Sequence, residues 1–318
     1  MIGEKWNARG YAEKITELSK KIKEFHDYEA LCEFKRLNAD LYQETMKAVA
    51  DGCYCCGNGK KVDLEPVDEL VKNSRLYSKE FRVDDVPAQN EPTKIVVENM
   101  DSYDAAEKYG KEGYNTVVLN MASRQTAGGG VLRGSRAQEE TLFRRSDLFM
   151  SLYQFTRYAS LYKLPKAKEQ YPMDRNFGGA YSPNITVFRS NADSGYEFLE
   201  KPFKTSVVSV AALNRPDLDE DGMLTAEMAD ATLRKIRTIL RIGLKHGHDC
   251  IILGAFGCGA FQNPPQHVAQ LFGEVFEETE FKNKYKLICI FAIADTERNR
   301  SPYFSRFTCT PCNILTHF

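Results

Sequence analysis

The sequence predicts an α/β protein built on a mixed or mostly parallel β-sheet, with helices covering both faces of the sheet. Six short runs rich in β-branched residues occur after residue 93, and several are apolar almost throughout, as strands covered on both faces are. Helical segments alternate with these runs. Two glycine-rich loops each follow a predicted strand, and ligands of such sheets bind beyond the carboxyl ends of the strands.

The N-terminal part of the chain predicts helices and a hairpin instead of sheet. Apolar residues recur at three- and four-residue steps from Ile15 to Phe25, which indicates an amphipathic helix within the first fifty residues. The turn-rich stretch DVPAQNEPT ends this region. We therefore predict a helical N-terminal extension over residues 1–92 and a core domain over residues 93–318.

The core alternates predicted strands with predicted helices. Residues 225–247 and 264–278 each place apolar side chains on one stripe, as amphipathic helices do. The predicted strands are KIVVEN (94–99), TVVLNMA (116–122), NITVFR (184–189), SVVSVAAL (206–213), CIILGAF (250–256) and LICIFAIA (287–294).

Composition and charge exclude several classes of function. The formal net charge is −1, so no positive field favours nucleic acid or an anionic membrane as a direct partner. The N-terminus has no apolar core of a signal peptide, and the apolar runs are too short to span a bilayer. We expect a monomeric, cytoplasmic protein whose nine cysteines are reduced thiols.

The cysteines allow two interpretations. Cys53, Cys55 and Cys56 together with Cys309 and Cys312 are compatible with a structural zinc site, because thiolates suit a tetrahedral ion. However, the paired CxxC…CxxC spacing is absent, and the dipeptide Asn58-Gly59 predicts a hairpin turn that makes the first group part of a strand. We favour the hairpin and expect no metal and no cofactor.

The loop GAFGCGAFQNPP (254–265) has the composition of an anion site. Its glycines allow main-chain N–H groups to turn toward a ligand, and Asn263 and Pro264 predict a helix start. A glycine loop at a helix N-terminus suits phosphate, and Phe256 and Phe261 favour a ring packed on a sugar or base. Neither GK[ST] nor GxGxxG is present, which excludes the common nucleotide loops. A tight turn without ligand is the alternative.

The loop NMASRQTAGGGVLRGSRAQEE (120–140) places three glycines before two adjacent glutamates. Ser135 and Gln138 predict a capping box, in which case Glu139 and Glu140 only start a helix. Yet three glycines exceed what a connector needs, and they permit close approach of the backbone to a ligand. Adjacent helical residues point about 100° apart, unlike a glycosidase pair that flanks the scissile bond. At most one glutamate therefore transfers protons.

One segment of the chain resembles the GGG–QEE signature of poly(ADP-ribose) glycohydrolases: Gly128-Gly129-Gly130 is followed, after seven residues, by Gln138-Glu139-Glu140. The chain is most similar to the shorter microbial type of that family. The helix-plus-hairpin segment before residue 90 is also similar. RQTAGGG departs from the proline that relatives often carry before the glycines, and the hairpin cysteines are unusual. Further matches are VVLNMAS (117–123), YSPNITVFR (181–189), SVVSVAALN (206–214) and LGAFGCGAFQNPP (253–265).

This resemblance implies a macrodomain-like three-layer α/β/α fold with a mixed sheet and a packed helical N-terminal extension. It implies that Glu140 is catalytic and that Glu139 contacts a ribose hydroxyl next to the scissile bond. The other residues it assigns to ADP-ribose binding are Asn120 and Phe261 at the distal ribose, Gly128, Gly129 and Gly130 around the distal ribose and diphosphate, Gln138 within the signature, Gly254, Ala255, Phe256, Gly257, Cys258, Gly259 and Ala260 in a diphosphate loop, and Asp101 at the adenine amino group.

The implied function is hydrolysis of ribose–ribose O-glycosidic bonds in poly(ADP-ribose), releasing ADP-ribose, with a single glutamate acting first as acid and then as base. The expected partners are ADP-ribose and poly(ADP-ribose) or ADP-ribosylated proteins. Two alternatives share the fold: a hydrolase of mono-ADP-ribosylated protein or nucleic acid, and a macrodomain that binds ADP-ribose without cleaving it. Glu140 favours an enzyme, since a binding module has no use for a proton donor.

Overall fold

A computed structural model describes residues 6–291 of the chain. The helices are α1 (Ala8–Phe25), α2 (Tyr28–Asp51), α3 (Asp68–Asn73), α4 (Ser102–Lys111), α5 (Gln138–Arg145), α6 (Leu148–Tyr153), α7 (Ala226–Lys245) and α8 (Pro265–Glu277), with 3₁₀ turns at Val131–Arg133 and Ala159–Tyr162. The strands are β1 (Cys53–Cys55), β2 (Lys61–Asp63), β3 (Arg75–Tyr77), β4 (Lys94–Glu98), β5 (Thr116–Met121), β6 (Gly179–Arg189), β7 (Phe198–Val210), β8 (Cys250–Leu253) and β9 (Leu287–Phe291). Within residues 6–291, none of these helices combines the length and apolar character that crossing a membrane requires.

Seven strands form one sheet in the order β3-β6-β7-β5-β8-β9-β4. β7, β5, β8, β9 and β4 are parallel to one another, whereas β3 is antiparallel to β6. The prediction of a mixed sheet is therefore confirmed. Because the five parallel strands point the same way, the connections that follow β4, β5, β7 and β8 leave the sheet at one edge.

The central strands have the burial that their apolar sequences predict. Every residue of β8 is buried, and β5 is buried up to Asn120. β7 begins eight residues before the predicted Ser206, because its first half carries polar, partly exposed residues that give no apolar run. β6 begins at Gly179, where a Cβ atom would lie 2.7 Å from Ile242 Cδ1 on α7, so this strand starts with a glycine that sequence propensity disfavours.

The chain divides into two compact units, each assembled from separate stretches. Among the described residues, the first unit consists of 6–74, Thr126–Ala167 and Pro183–Lys204, and the second consists of Arg75–Gln125, Lys168–Ser182 and 205–291. The N-terminal helices and the glycine–glutamate segment thus belong to the same unit. The domain boundary between residues 92 and 93 stays a prediction.

The first unit has small apolar clusters at its helices and hairpin. Ile15 is buried beside Leu41 of α2, which confirms the amphipathic helix, although Phe25 at the end of α1 is 74% exposed. The β1–β2 hairpin pairs Cys53 with Asp63, and this pairing confirms the hairpin prediction.

The second unit has the larger apolar core, which the sheet shares with α7 and α8. Ile236 and Leu240 on α7 are buried, as are Val268 and Phe272 on α8. Both amphipathic helices are therefore confirmed, and α8 follows the loop that contains Gly254–Phe261.

Candidate active site

The two glutamates lie in the first turn of α5, in the first unit, and both carboxylates accept hydrogen bonds from the glycine run. The N–H of Gly128 donates to Glu139 Oε1 at 3.0 Å, and the N–H of Gly130 donates to Glu140 Oε1 at 2.8 Å. Glu139 is 3% exposed and Glu140 is 6% exposed. Because a buried carboxylate without donors is costly, these main-chain N–H groups help to stabilise each of them.

The capping box predicted from Ser135 and Gln138 is wrong. The residue that precedes the helix is Ala137, whose side chain has no acceptor. Glu140, the third residue of α5, accepts the Ala137 N–H through Oε2 at 2.8 Å, which is the contribution that the third helical residue makes in a capping box. Glu140 therefore holds the start of its own helix while its other oxygen binds the glycine run.

Gly129 lies against both carboxylates. A Cβ atom there would be 2.6 Å from Glu140 Oε1 and 3.1 Å from Glu139 Oε2, and its φ of +54° is left-handed. Although neighbouring helical residues leave the helix about 100° apart, the two carboxylates thus converge on one glycine. The sequence suggested that the glycine run lets the backbone approach a ligand closely. In the structure, the backbone of Gly129 closely approaches the carboxylates of Glu139 and Glu140.

The flanking glycines are restricted by other neighbours. A Cβ atom on Gly128 would lie 2.5 Å from Phe143 Cε1, and one on Gly130 would lie 2.3 Å from Ser135 Oγ. Since real Cβ atoms essentially never approach other atoms within 3.0 Å, no position of the run accepts a side chain without displacement of a neighbour.

Arg144, one turn after Glu140, fixes the segment between the glycines and α5. It is completely buried, and it donates from Nη2 to Ser135 O at 2.6 Å and from Nε to Asn38 O on α2 at 3.0 Å. Burial lowers the pKa of this guanidinium, and the Glu140 carboxylate is among the groups that oppose the change. Helix α2 of the predicted N-terminal extension therefore supports the glutamate segment directly.

In the second unit, Asn120 lies near the end of β5 and is completely buried. Its Nδ2 donates to Ser209 Oγ on β7 at 3.0 Å, whereas its Oδ1 has no donor among residues 6–291. A buried amide oxygen without a donor is unfavourable unless a ligand supplies one. Asn120 is therefore suited to accept a hydrogen bond from a ligand hydroxyl.

The loop Gly254–Phe261 presents main-chain donors beyond the end of β8. Five of its N–H groups have no acceptor within the described part of the chain, namely those of Ala255, Gly257, Gly259, Ala260 and Phe261. Several free N–H groups in one glycine-rich loop form a cradle for an anion. The anion site predicted for this loop stays a prediction, and these unpaired N–H groups are compatible with it.

Asn263 does not cap α8, contrary to the prediction, because the helix begins at Pro265 and Pro264 precedes it. Its buried Nδ2 instead donates to Leu213 O at 2.7 Å and to Gly257 O at 3.0 Å. Gly257 has a φ of +75°, and a Cβ atom there would lie 2.6 Å from Asn263 Nδ2. The asparagine therefore braces the loop instead of starting the helix.

Three other predicted residues have structural contacts of their own. The ring of Phe256 is buried and lies edge-on to Phe272 of α8, so any ligand contact of this residue is through its main chain. Cys258 is buried as well, and burial raises the pKa of its thiol to about 12, which leaves it neutral. Asp101 caps α4 by accepting the N–H of Tyr103 at 2.8 Å.

The structure also shows a basic site that the sequence analysis missed. A cavity of about 430 Å³, here called the cationic pocket, is lined by Arg124, Arg175, Arg215 and Lys235, together with Asp217 and Phe261. Arg124 and Arg215 lie in the connections directly after β5 and β7. Ligands of open α/β sheets bind beyond the carboxyl ends of the strands, so basic residues at these positions indicate an anionic ligand. Lys235 lies between Arg234 and Ile236 on α7, and this local sequence contains no signal that distinguishes it as a buried cation.

The predicted site residues therefore fall into two groups. Gly128–Gly130, Gln138, Glu139 and Glu140 are brought together in the first unit. Asn120, Asp101 and Gly254–Phe261 belong to the second unit, at the carboxyl ends of β5, β4 and β8 respectively. Between residues 6 and 291 no group of three or more His, Cys, Asp or Glu side chains is arranged to hold a metal ion, and Cys309 and Cys312 lie outside the described residues.

Residues 42–190 match the model of a protein family described as the catalytic domain of microbial-type PARG, that is, poly(ADP-ribose) glycohydrolase. This match covers slightly less than half of the chain. The matched region contains Asn120, the glycine run and both glutamates, whereas the loop Gly254–Phe261 lies beyond it. No curated protein matches the sequence.

Solved structures of poly(ADP-ribose) glycohydrolases are similar to this chain over most of its length. The crystal structure from Thermomonospora curvata is 27% identical, with a TM-score of 0.70 over 85% of this chain and 98% of that chain. The T. curvata protein bound to the inhibitor ADP-HPD is 29% identical, with a TM-score of 0.66 over 85% and 97%. The Deinococcus radiodurans protein in complex with ADP-ribose is 22% identical, with a TM-score of 0.60 over 77% and 96%, and it supports the fold. The predicted macrodomain-like fold is confirmed.

Proposed function

We propose that this chain hydrolyses the ribose–ribose O-glycosidic bonds of poly(ADP-ribose) to release ADP-ribose, and that Glu140 is its general acid and base. The match of residues 42–190 to the microbial-type PARG catalytic domain and the similar poly(ADP-ribose) glycohydrolase structures support the reaction. The observation that carries the assignment to Glu140 is its carboxylate, which is buried in the first turn of α5 and oriented through both oxygens by the N–H groups of Gly130 and Ala137.

The proposed reaction breaks the bond between C1″ of one ribose and a hydroxyl oxygen of the preceding unit, through an oxocarbenium-like state. Glu140 donates a proton to the departing oxygen, so that the preceding unit leaves with a hydroxyl group. The resulting carboxylate takes a proton from the water that attacks C1″. Each carboxylate oxygen has about two acceptor sites, so the bonds to Gly130 and Ala137 leave capacity to face the substrate.

The remaining residues are proposed to hold ADP-ribose in place. Glu139, fixed by the Gly128 N–H, would accept a hydrogen bond from the ribose hydroxyl next to the scissile bond. The unmatched Oδ1 of Asn120 would accept one from a hydroxyl of the distal ribose. The free N–H groups of the loop Gly254–Phe261 would bind the diphosphate, whose charge also favours the cationic sugar of the transition state.

Substitution of Glu140 tests the assignment, with Glu139 as the matched control. Glu140→Gln is expected to abolish release of ADP-ribose, a loss of at least about 10²–10⁴-fold that is typical of a general acid, and to leave the Kd for ADP-ribose within about threefold. Glu139→Gln removes one carboxylate from the same helical turn, and we expect it to raise KM more than it lowers kcat. If Glu140→Gln retained more than a few per cent of wild-type turnover, Glu140 would not be the proton donor.

The substrate is tested by following free ADP-ribose after incubation with the polymer and, separately, with mono-ADP-ribosylated protein and nucleic acid. The proposal expects release from the polymer. Release from mono-modified targets alone would establish the alternative hydrolase, and binding without release would establish a non-catalytic macrodomain. We further propose that the enzyme is a cytoplasmic monomer that meets ADP-ribosylated proteins, which sedimentation and cell fractionation would test.

A further inference from the structure

We propose that the cationic pocket is a second diphosphate-binding subsite, which takes the diphosphate of the neighbouring ADP-ribose unit in the polymer. This inference rests on the proposed function, because only a polymeric substrate carries a second diphosphate next to the one being processed. The four basic residues that line the pocket would recognise it by charge and hydrogen bonding.

The charge of the pocket is unbalanced. Arg124, Arg175, Arg215 and Lys235 face a single lining carboxylate, Asp217. Within the described part of the chain, none of the four cations forms an ion pair with a carboxylate. The volume of about 430 Å³ is sufficient for a diphosphate group. Arginine and lysine side chains around such a cavity are the donors that phosphate groups bind most strongly.

Lys235 gives the strongest single indication that the pocket is built for an anion. It is only 2% exposed, and its Nζ donates to the main-chain oxygen of Arg175 at 2.9 Å. Burial and, after it, the nearby guanidinium of Arg124 lower the pKa of Lys235 to about 8, and the Asp174 carboxylate opposes this change without forming an ion pair with Lys235. A buried ammonium that has no carboxylate in an ion pair destabilises the folded protein, whereas a bound diphosphate would provide negative charge in direct contact.

Two of the arginines are held in place by the backbone. Arg124 donates from Nη1 to Met173 O at 3.1 Å. Arg215 has a left-handed φ of +50°, which is uncommon outside glycine, and its N–H donates to Phe261 O at 2.8 Å. Arg215 is therefore attached to the end of the loop that is proposed to bind the first diphosphate.

The position of the pocket in the sheet fits an extended substrate. Asp101, the residue expected at the adenine, follows β4 at one side of the parallel strands, and the loop Gly254–Phe261 follows β8. The pocket lies at the ends of β5 and β7, on the opposite side of β8 from β4. A chain that runs from Asp101 past the loop would continue toward this pocket, where its next negatively charged group is a diphosphate.

The test compares binding of ADP-ribose with binding of an ADP-ribose dimer joined by the ribose–ribose bond. Calorimetry in the Glu140→Gln background prevents turnover during the measurement. Arg215→Gln is expected to weaken binding of the dimer about tenfold, which corresponds to about 1.4 kcal/mol, and to change the Kd for ADP-ribose less than about twofold. Lys111→Gln, which removes one exposed positive charge at the end of α4, is the control and should change neither value.

Lys235→Met provides a second readout that a purely structural lysine would not produce. This variant should lose the preference for the dimer and yet raise the melting temperature, since the uncompensated buried charge is gone. Arg175→Gln, at an exposed position, should reduce the preference without a change in melting temperature.

The possible outcomes separate this inference from the proposed function. If Arg215→Gln weakened the binding of the dimer and of ADP-ribose equally, the pocket would hold the first diphosphate. If it weakened the binding of neither ligand, the pocket would hold no diphosphate. Each of these results would overturn the inference. If the wild-type enzyme releases ADP-ribose from polymer in either case, the proposed function stands. If the dimer preference depends on Arg215 and Lys235 but the wild-type protein releases nothing, the subsite is supported and the proposed hydrolysis fails.

Discussion

Replacement of Gly129 by alanine isolates the contact between the glycine run and Glu140, the proposed general acid. The new Cβ atom would lie 2.6 Å from Glu140 Oε1, and ordinary contact begins at 3.4 Å, so the carboxylate would have to move by about 0.8 Å. For Glu139 Oε2 the corresponding difference, from 3.1 Å to 3.4 Å, is about 0.3 Å. Since a misplacement of about 1 Å can cost about 10²-fold in rate, we expect kcat to fall about 30- to 100-fold.

The same substitution also strains the backbone, and a second glycine measures that effect alone. Gly52, at the end of α2, has a φ of +67°, close to the +54° of Gly129, but a Cβ atom there would meet nothing within 4 Å. Both Gly129→Ala and Gly52→Ala should therefore lose about 1–2 kcal/mol of unfolding free energy from the left-handed backbone. Only Gly129→Ala should lose activity.

The assay is steady-state release of ADP-ribose from polymer, with unfolding by denaturant measured on the same preparations. Binding of ADP-ribose by Gly129→Ala should weaken less than kcat falls, because the displaced group is the proposed proton donor. If the kcat of Gly129→Ala stays within threefold of that of Gly52→Ala, the position of Glu140 is not set by this contact, and the structural account of the glycine run is refuted.

Three further predictions concern buried polar groups. Burial raises the pKa of Asp147 to about 7 from its ordinary 3.8, so the contribution of Asp147 to stability is complete below about pH 4 and is lost as the pH rises through 7. In denaturant unfolding, Asp147→Asn should therefore stabilise the protein by about 1–4 kcal/mol more at pH 8 than at pH 4. An equal effect at both pH values would contradict this explanation. Burial lowers the pKa of His248 to about 4, so the stability of the protein should fall as the pH drops from 6.5 toward 4. In thermal melts, the melting temperature of His248→Gln should fall less over this pH range, and an unchanged dependence of melting temperature on pH would exclude His248 as the cause. Asn263→Ala removes the brace of the diphosphate loop and should weaken ADP-ribose binding about tenfold in calorimetry, and unchanged affinity would show that the loop keeps its shape without it.

The elements with strong local patterns could be predicted from the sequence. The apolar runs of β5 and β8 and the stripes of α7 and α8 have periodicities that depend on neighbouring residues alone. Element ends were less predictable. β7 begins in a polar segment around Lys201, and α8 begins at Pro265 because Asn263 makes tertiary hydrogen bonds that compete with capping.

The parts of the site that depend on residues distant in sequence could not be predicted. The cationic pocket collects Arg124, Arg175, Arg215 and Lys235 from four separate segments, and no spacing rule connects them. The support of the glutamate segment by Arg144 likewise requires α2 to be in place.

The combination of glycines and like charges in GGG–QEE follows from the hydrogen bonds of the carboxylates. Two adjacent buried carboxylates are tolerated because Glu139 has the Gly128 N–H and Glu140 has the Gly130 N–H, so each has its own main-chain donor. The glycine between these donors must lack a side chain, because it is the point on which both carboxylates converge. Close approach of a ligand explains why a loop would be rich in glycine, but it does not explain why the middle glycine must face the second glutamate. The contact with Glu140 does, and it connects the glycine run to the proton transfer proposed for this residue.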